Sequence, residues 1–190
     1  LERAVMVVGG GGLIHFMQRS VVWNGYQPLF ELLYKDPREL QLVLAVIQTS
    51  LDPIDAMNYV PHLVEDRFPG RKPLKAALHV AINDSQVDNL VSEWVLRSAK
   101  VPMITPSPKA IWGVDTITAA APGGAPAGTK AATFVYDEKV APNPPGNVPP
   151  KTDNRTHNTL RDLDVYQKQV ASFLEDGSLV QICSDACDPD

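Results

Sequence analysis

The sequence predicts an α/β protein, a mostly parallel sheet with helices on its faces, and three observations predict it. Residues 4–8 are a continuous apolar run and 76–82 and 131–136 are strand-like apolar runs broken only at His79 and Thr133, the pattern of strands covered on both faces. Between them lie stretches whose apolar residues recur three and four apart, as on one face of a helix. Gly- and Pro-rich turns separate the two kinds of run, so strands and helices alternate along the chain.

Each element can be justified in order. Ala4-Val5-Met6-Val7-Val8 reads as the first strand, ended by the four glycines from Gly9 to Gly12. Leu29, Phe30, Leu32 and Leu33, then Leu40, Val43, Leu44 and Ile47, keep helical spacing with a break at Asp36-Pro37. Asp36 is the expected N-cap of the second of these helices and Pro37 its first residue. Asp52-Pro53 starts a further short helix reaching about Tyr59. Residues 13–69 thus read as a helical, lid-like insertion between two strands. The 76–82 strand is followed by a helix opening at Asp84, with Val87, Leu90, Val91, Trp94 and Val95 on its sheet-facing stripe. Residues 101–104 make a short strand that Pro102 confines to a sheet edge. Residues 106–130 and 141–156 read as long irregular loops flanking the 131–136 strand. The last helix buries Leu160, Leu163, Tyr166, Val170, Phe173 and Leu174 and stops at Gly177.

A chain of 190 residues suffices for one domain with a sizeable core. Its net charge of −5, without a Lys/Arg cluster, argues against a nucleic-acid surface. No run approaches the roughly 20 apolar residues of a membrane-spanning helix. The apolar strand begins almost at residue 1, so the expectation is that residues 1–190 are the C-terminal part of a longer single domain. Cys183 and Cys187 have no second pair or nearby His, which leaves no zinc site; a local disulfide is expected. Such a bond suits an oxidising location: secreted, periplasmic or cell-surface.

The chemistry-bearing residues stand beyond strands. In open parallel sheets functional groups gather at the carboxyl ends. Asp84 follows the 76–82 run, and His157 follows the 131–136 run after the Pro-rich loop. A histidine beside a carboxylate can take a proton from a nucleophile and return it to a leaving group, while the carboxylate fixes its tautomer. Ile82-Asn83-Asp84-Ser85-Gln86-Val87 resembles the post-strand acid turn of α/β-hydrolases. Asn154-Arg155-Thr156-His157, followed by a helix, resembles their histidine loop. The resemblance runs through nearly the whole chain in element order and is specific in these two stretches. It implies a serine hydrolase, esterase- or lipase-like, that acts on an apolar ester or amide without a cofactor. Asp84 would be the orienting acid and His157 the general base and acid.

Two departures mark the match. No Gly-x-Ser-x-Gly occurs in the sequence, so the nucleophile would come from upstream and this chain alone would be inert. Acid and histidine lie 73 positions apart, more than in compact members, so the Pro/Gly-rich excursion must loop out.

Other readings compete. Asp84 is also a good N-cap, in which case its side chain turns onto the N–H of Gln86 or Val87 and His157 lies in solvent. The chain would then be a non-catalytic α/β binding or structural domain. Gly9–Gly12 after a strand invites a nucleotide-binding reading, but the third glycine of Gly-x-Gly-x-x-Gly and a Gly-Lys-Ser/Thr are missing, and a permissive turn is favoured. His79 reads as a core residue. His15 and His62 lack carboxylate or thiol neighbours at ligand spacing, and Trp23, Trp94 and Trp112 read as core or lid aromatics.

Overall fold

A computed structural model describes residues 1–119 and 123–188. Its centre is a five-stranded parallel sheet. The strands are β1 (Arg3–Val7), β2 (Lys75–Ala81), β3 (Met103–Thr105), β4 (Thr116–Thr118) and β6 (Ala131–Tyr136), in the order β1-β2-β6-β3-β4. A two-stranded antiparallel ribbon joins β5 (Gly123–Gly124) to β7 (Val180–Gln181). The order carries one fact the linear sequence hides. The chain passes from β2 to β3 leaving a vacant lane, and β6 later fills it, pairing with β2 from Ala76↔Ala131 to Ala81↔Tyr136. The ends of β2 and β6 are therefore neighbours.

The apolar runs behave as parallel strands should. All six residues of β6 and the last six of β2 are buried. Alternation divides them between two faces. Ala77, Ala81, Ala132, Phe134 and Tyr136 join Leu160, Tyr166 and Phe173, the last two on α6 (Asp164–Asp176). Leu78, Val80, Ile82 and Val135 face the opposite way, against Val95, Leu96 and Ala99 of α4 (Asn89–Ala99) and against Val60 and Val64. β1 is half-buried along its length, pairs with β2 on one side, and has an open edge on the other among the described residues.

The 13–69 segment forms α1 (Leu13–Arg19), α2 (Gln27–Leu33) and α3 (Pro37–Leu51), with a small core of its own around Ile14, Trp23 and Leu44. Asp36 caps α3 as expected, accepting from the Arg38 N–H at 2.9 Å. The outer faces of α2 and α3 stay apolar and exposed at Leu29, Leu32, Leu33, Leu42 and Val46. After Asp52 the chain forms three single turns of 3-10 helix where the sequence suggested one short helix. Asp55 explains how the insertion is held. Its Oδ1 accepts from the N–H of Gly12 (2.9 Å) and Met57 (2.9 Å), and its Oδ2 from the N–H of Leu13 (2.8 Å) and the Gln48 amide (2.9 Å). The orphan donors that open α1 are thus met from 43 residues away, because Gly12, at φ 78°, has no side chain to cap them. Only glycine takes that conformation without strain, and a Cβ there would stand 3.1 Å from Trp94.

Several sequence expectations are corrected. Helix α4 opens at Asn89 with Asp88 as cap, so residues 82–88 are a turn and not its first coil. β3 is interior and not an edge, since Pro102 lies just before it and only its carbonyl is needed, by Thr133 N–H at 2.8 Å. The 106–130 loop contains β4 and β5, short strands without an apolar run to announce them. Leu174 is 52% exposed and Trp112 84% exposed, the latter stacked under Arg97 at 5.8 Å, so neither is core. His62 does have a carboxylate neighbour, Asp66 at 3.3 Å.

Cys183 and Cys187 are joined in a disulfide. The loop it closes lies on the end of β6, where Asp137 N–H donates to the Cys187 carbonyl at 2.9 Å.

Candidate functional site

The site is assembled where β2 and β6 leave the sheet. Ile82 N–H still reaches the Tyr136 carbonyl at 2.9 Å, and then the strands part. The β2 end turns sharply at Asn83, whose φ is 60°. Asn89 fixes this turn from the first residue of α4, accepting from Asn83 N–H at 2.7 Å and donating to the Ala81 carbonyl at 2.7 Å. The next residue is Asp84. Its Oδ1 accepts from Gln86 N–H at 2.8 Å and Val87 N–H at 3.0 Å, so the carboxylate is locked by its own turn.

Its other oxygen is aimed elsewhere. Oδ2 lies 2.8 Å from Nδ1 of His157, 73 positions along the chain. A carboxylate oxygen can only accept, so Nδ1 carries the proton and the neutral ring presents Nε2 as its basic nitrogen. Nε2 has no hydrogen-bond partner among the described residues. Burial is unequal in the useful direction: the Asp84 side chain is 2% exposed and that of His157 18%. Asp84 is not the cap of α4, which is Asp88; its Oδ1 takes the Gln86 and Val87 N–H groups of the turn while Oδ2 meets the ring, so the two contacts do not exclude each other.

His157 lies in the short helix α5 (Thr156–Thr159), entered through Arg155 at φ 70°. Glu138, just past β6, accepts the hydroxyls of Thr156 and Thr159, the latter at 2.6 Å. Arg161 donates to the His157 carbonyl at 2.5 Å.

Sequence reasoning missed the residues that fasten the two loops together. The Ser85 hydroxyl donates to Asp153 Oδ1 at 2.8 Å and accepts from Asn154 N–H at 3.1 Å. Gln86 Nε2 donates to Asp153 Oδ2 at 2.8 Å, and Arg155 N–H to Oδ1 at 2.8 Å. Asn154 Nδ2 donates to the Asn83 carbonyl at 2.7 Å, and Asn143 Nδ2 to that of Asp84 at 2.6 Å. The signal available was the Asp-Asn-Arg run before Thr156-His157, which favours side-chain-to-backbone turns. Partial burial works against the charged form of Asp153. The Arg155 N–H and the Ser85 and Gln86 donors outweigh it, with a smaller contribution from the His157 ring when it is protonated, and its carboxyl titrates below the ordinary range.

Backbone strain concentrates on the same edge. Val8 at the end of β1 (φ 44°), Asn83 beyond β2 and Arg155 before His157 all hold positive φ without being glycine, and Val8 is β-branched.

The remaining candidates fall elsewhere. His79 is enclosed in the sheet, stacked on Phe134 at 5.4 Å, with Nε2 3.0 Å from the Gln169 carbonyl oxygen. His15 is exposed and meets Trp94 edge-on at 5.2 Å. Among the described residues no group of three or more His, Cys, Asp or Glu could hold a metal ion, and no helix is long and apolar enough to cross a membrane. A surface concavity lined by Lys75, the 124–129 loop and Asp176–Val180 lies at the amino end of β2, opposite Asp84, and takes no part in this constellation. Comparison with protein-family models, curated proteins and solved structures found no match.

Proposed function

We propose that Asp84 and His157 are the acid and histidine of a serine-type ester or amide hydrolase resembling the α/β-hydrolases, its nucleophilic serine supplied from outside these 190 residues. The 2.8 Å contact between a buried carboxylate and a partly open imidazole, each beyond the carboxyl end of one of two adjacent strands, carries the reading. His157 Nε2 removes the serine proton as Oγ attacks the carbonyl carbon. The imidazolium is stabilised by Asp84, and the proton passes to the leaving alkoxide or amine as the tetrahedral intermediate collapses. Water repeats the sequence on the acyl-enzyme and restores the serine.

Two further features support it. The histidine loop does not stay over β6 but crosses to the end of β2, where Asn154 meets Asn83 and Asp153 meets Ser85. That brings the ring one strand, about 4.8 Å, nearer the open edge of β1, where a nucleophile-bearing strand would pair. Strained residues gather at this edge, as they do in active sites.

Ser85 is not the nucleophile, since it is 0% exposed and its hydroxyl is committed to Asp153. The test is esterase assay and active-site phosphonate labelling of the chain in its longer protein, beside His157→Ala. Turnover and labelling that depend on His157 are expected, with no turnover from residues 1–190 alone. Turnover indifferent to His157→Ala, or robust turnover by this chain alone, contradicts the assignment. Absence of both turnover and labelling leaves a non-catalytic α/β binding domain.

A further inference from the structure

We infer that Ser85, through its clasp on Asp153, is the positioning residue of the Asp84–His157 pair, setting where the histidine loop sits over the acid turn. The inference rests on the hydrolase reading for its consequence in catalysis and on geometry for its substance. Residues 141–156 form a Pro-rich excursion with no regular structure, and they must return His157 to Asp84 within hydrogen-bond reach. A loop of that length does not hold a 2.8 Å contact unless it is fastened near its end.

Ser85 adjoins the acid in sequence and touches two other segments at once. Its hydroxyl donates to Asp153 and accepts from Asn154 N–H, binding the histidine loop on two consecutive residues. Its carbonyl accepts from Val21 N–H at 2.8 Å, binding the helical insertion just past α1. A hydroxyl donates to a carboxylate and accepts from an amide N–H at a single atom, and at 0% exposure both bonds are made away from water. Asp153 collects the Ser85, Gln86 and Arg155 donors on its two oxygens and lies three and four residues before Thr156 and His157.

The charges around the ring are accounted for on each element packed against it. Asp84 and, beyond it, Asp88 with Arg19 stand on the acid-turn side. Asp153 and Arg155 are on the histidine loop, Glu138 lies beyond β6, and Arg161 follows α5. Ser85→Ala removes the clasp without changing any of them. Asp153→Ala removes the acceptor of the Ser85, Gln86 and Arg155 donors together.

The experiment reads the His157 Nδ1 proton by NMR in the longer protein, beside backbone amide exchange in β2 and β6. Expected in Ser85→Ala is faster exchange of the Nδ1 proton, by about tenfold or more, with mixed ring tautomers and unchanged β2 and β6 amides. Asp153→Ala should give the same change, and it carries the test alone if Ser85→Ala does not fold. An unaltered Nδ1 proton in both variants overturns the inference. Loss of sheet protection in step with the Nδ1 proton also overturns it, because Ser85 would then be a general stabiliser. No turnover enters these measurements. A failure here leaves the hydrolase reading standing, and an inert longer protein with an intact clasp ends that reading alone.

Discussion

Asp84 divides its carboxylate between its own turn and His157: Oδ1 takes the N–H groups of Gln86 and Val87, and Oδ2 takes Nδ1 of the ring at 2.8 Å. The division matters because a carboxylate held by its backbone on one side presents the other oxygen in a fixed direction. The histidine thereby gains an orientation at little further cost in conformational entropy.

That arrangement separates the effects of two substitutions. Asp84→Asn retains an oxygen for Gln86 and Val87 and so keeps the turn, but it places an amide N–H against Nδ1 and forces the proton to Nε2. On the proposed hydrolase reading, kcat should fall by about four orders of magnitude with the fold intact, since the ring loses its basic nitrogen. Asp84→Ala removes the turn's acceptor as well and should cost about 1 kcal/mol of stability in addition. Ring-nitrogen NMR and denaturant unfolding of the two variants check both statements. An Asp84→Asn protein with Nδ1 still protonated would contradict the account.

The contact was legible in sequence as two polar residues at strand ends, and less so as a contact. What made Asp84 and His157 neighbours is the vacant lane between β2 and β3, and no local pattern announces which strand fills a lane. The apolar runs of β2 and β6 showed themselves because burial on both faces demands continuous hydrophobicity. β4, with Thr116-Ile117-Thr118, carries no such run and disappeared into its loop. The start of α4 was misplaced because Asp84 and Asp88 are equally good caps by residue type. Asn83 in a left-handed conformation and the Asn89 bridge decide between them. Ser85, Asp153 and Asp55 work through partners dozens of residues away, where periodicity says nothing.

The buried histidine gives a pH signature independent of any activity. Burial holds the His79 imidazole well below its ordinary range, at about 4, against weaker support for the charged form from Gln169. In the unfolded chain it titrates near 6.5. Between these values the unfolded state binds the extra proton, so stability should be intact above about pH 6.5 and decline as pH falls toward 4. The loss is on the order of 3 kcal/mol at full extent. Urea unfolding at pH 7 and pH 5 should show it, and His79→Gln should flatten the dependence. An equal slope in wild type and variant would assign the acid sensitivity to other groups.

The disulfide offers a smaller effect. Cys183 and Cys187 are four positions apart, so closing that loop restricts the unfolded chain by only about 2 kcal/mol. Reduction should lower stability by no more than that and leave the sheet intact, loosening chiefly the Asp137–Cys187 backbone contact at the end of β6. The unreduced C-terminal peptide should weigh two hydrogens less than the reduced one. Two freely alkylated thiols in protein from its native compartment would refute the bond there.

Asp55 provides the last prediction, on how independently the helical insertion moves. It is 1% exposed, and its carboxylate accepts from four donors, two of which open α1. Burial disfavours its charge, but the Met57, Gly12 and Leu13 N–H groups and Gln48 outweigh that and hold its carboxyl below the usual value. Its contribution should therefore persist above the ordinary carboxylate range and vanish only as pH falls through the depressed value. Asp55→Ala strands these N–H groups in a half-buried place and should cost about 3 kcal/mol. The damage should be local. The insertion's own core of Ile14, Trp23 and Leu44 is separate from the two clusters that cover the sheet. Hydrogen exchange should thus rise across residues 13–51 while β2 and β6, and the Val60–Val64 segment packed on the sheet, stay protected. If β2 and β6 lose protection to the same degree, insertion and sheet unfold as one unit, and the Asp55 anchor is part of the sheet's stability instead of a tether for what lies over it.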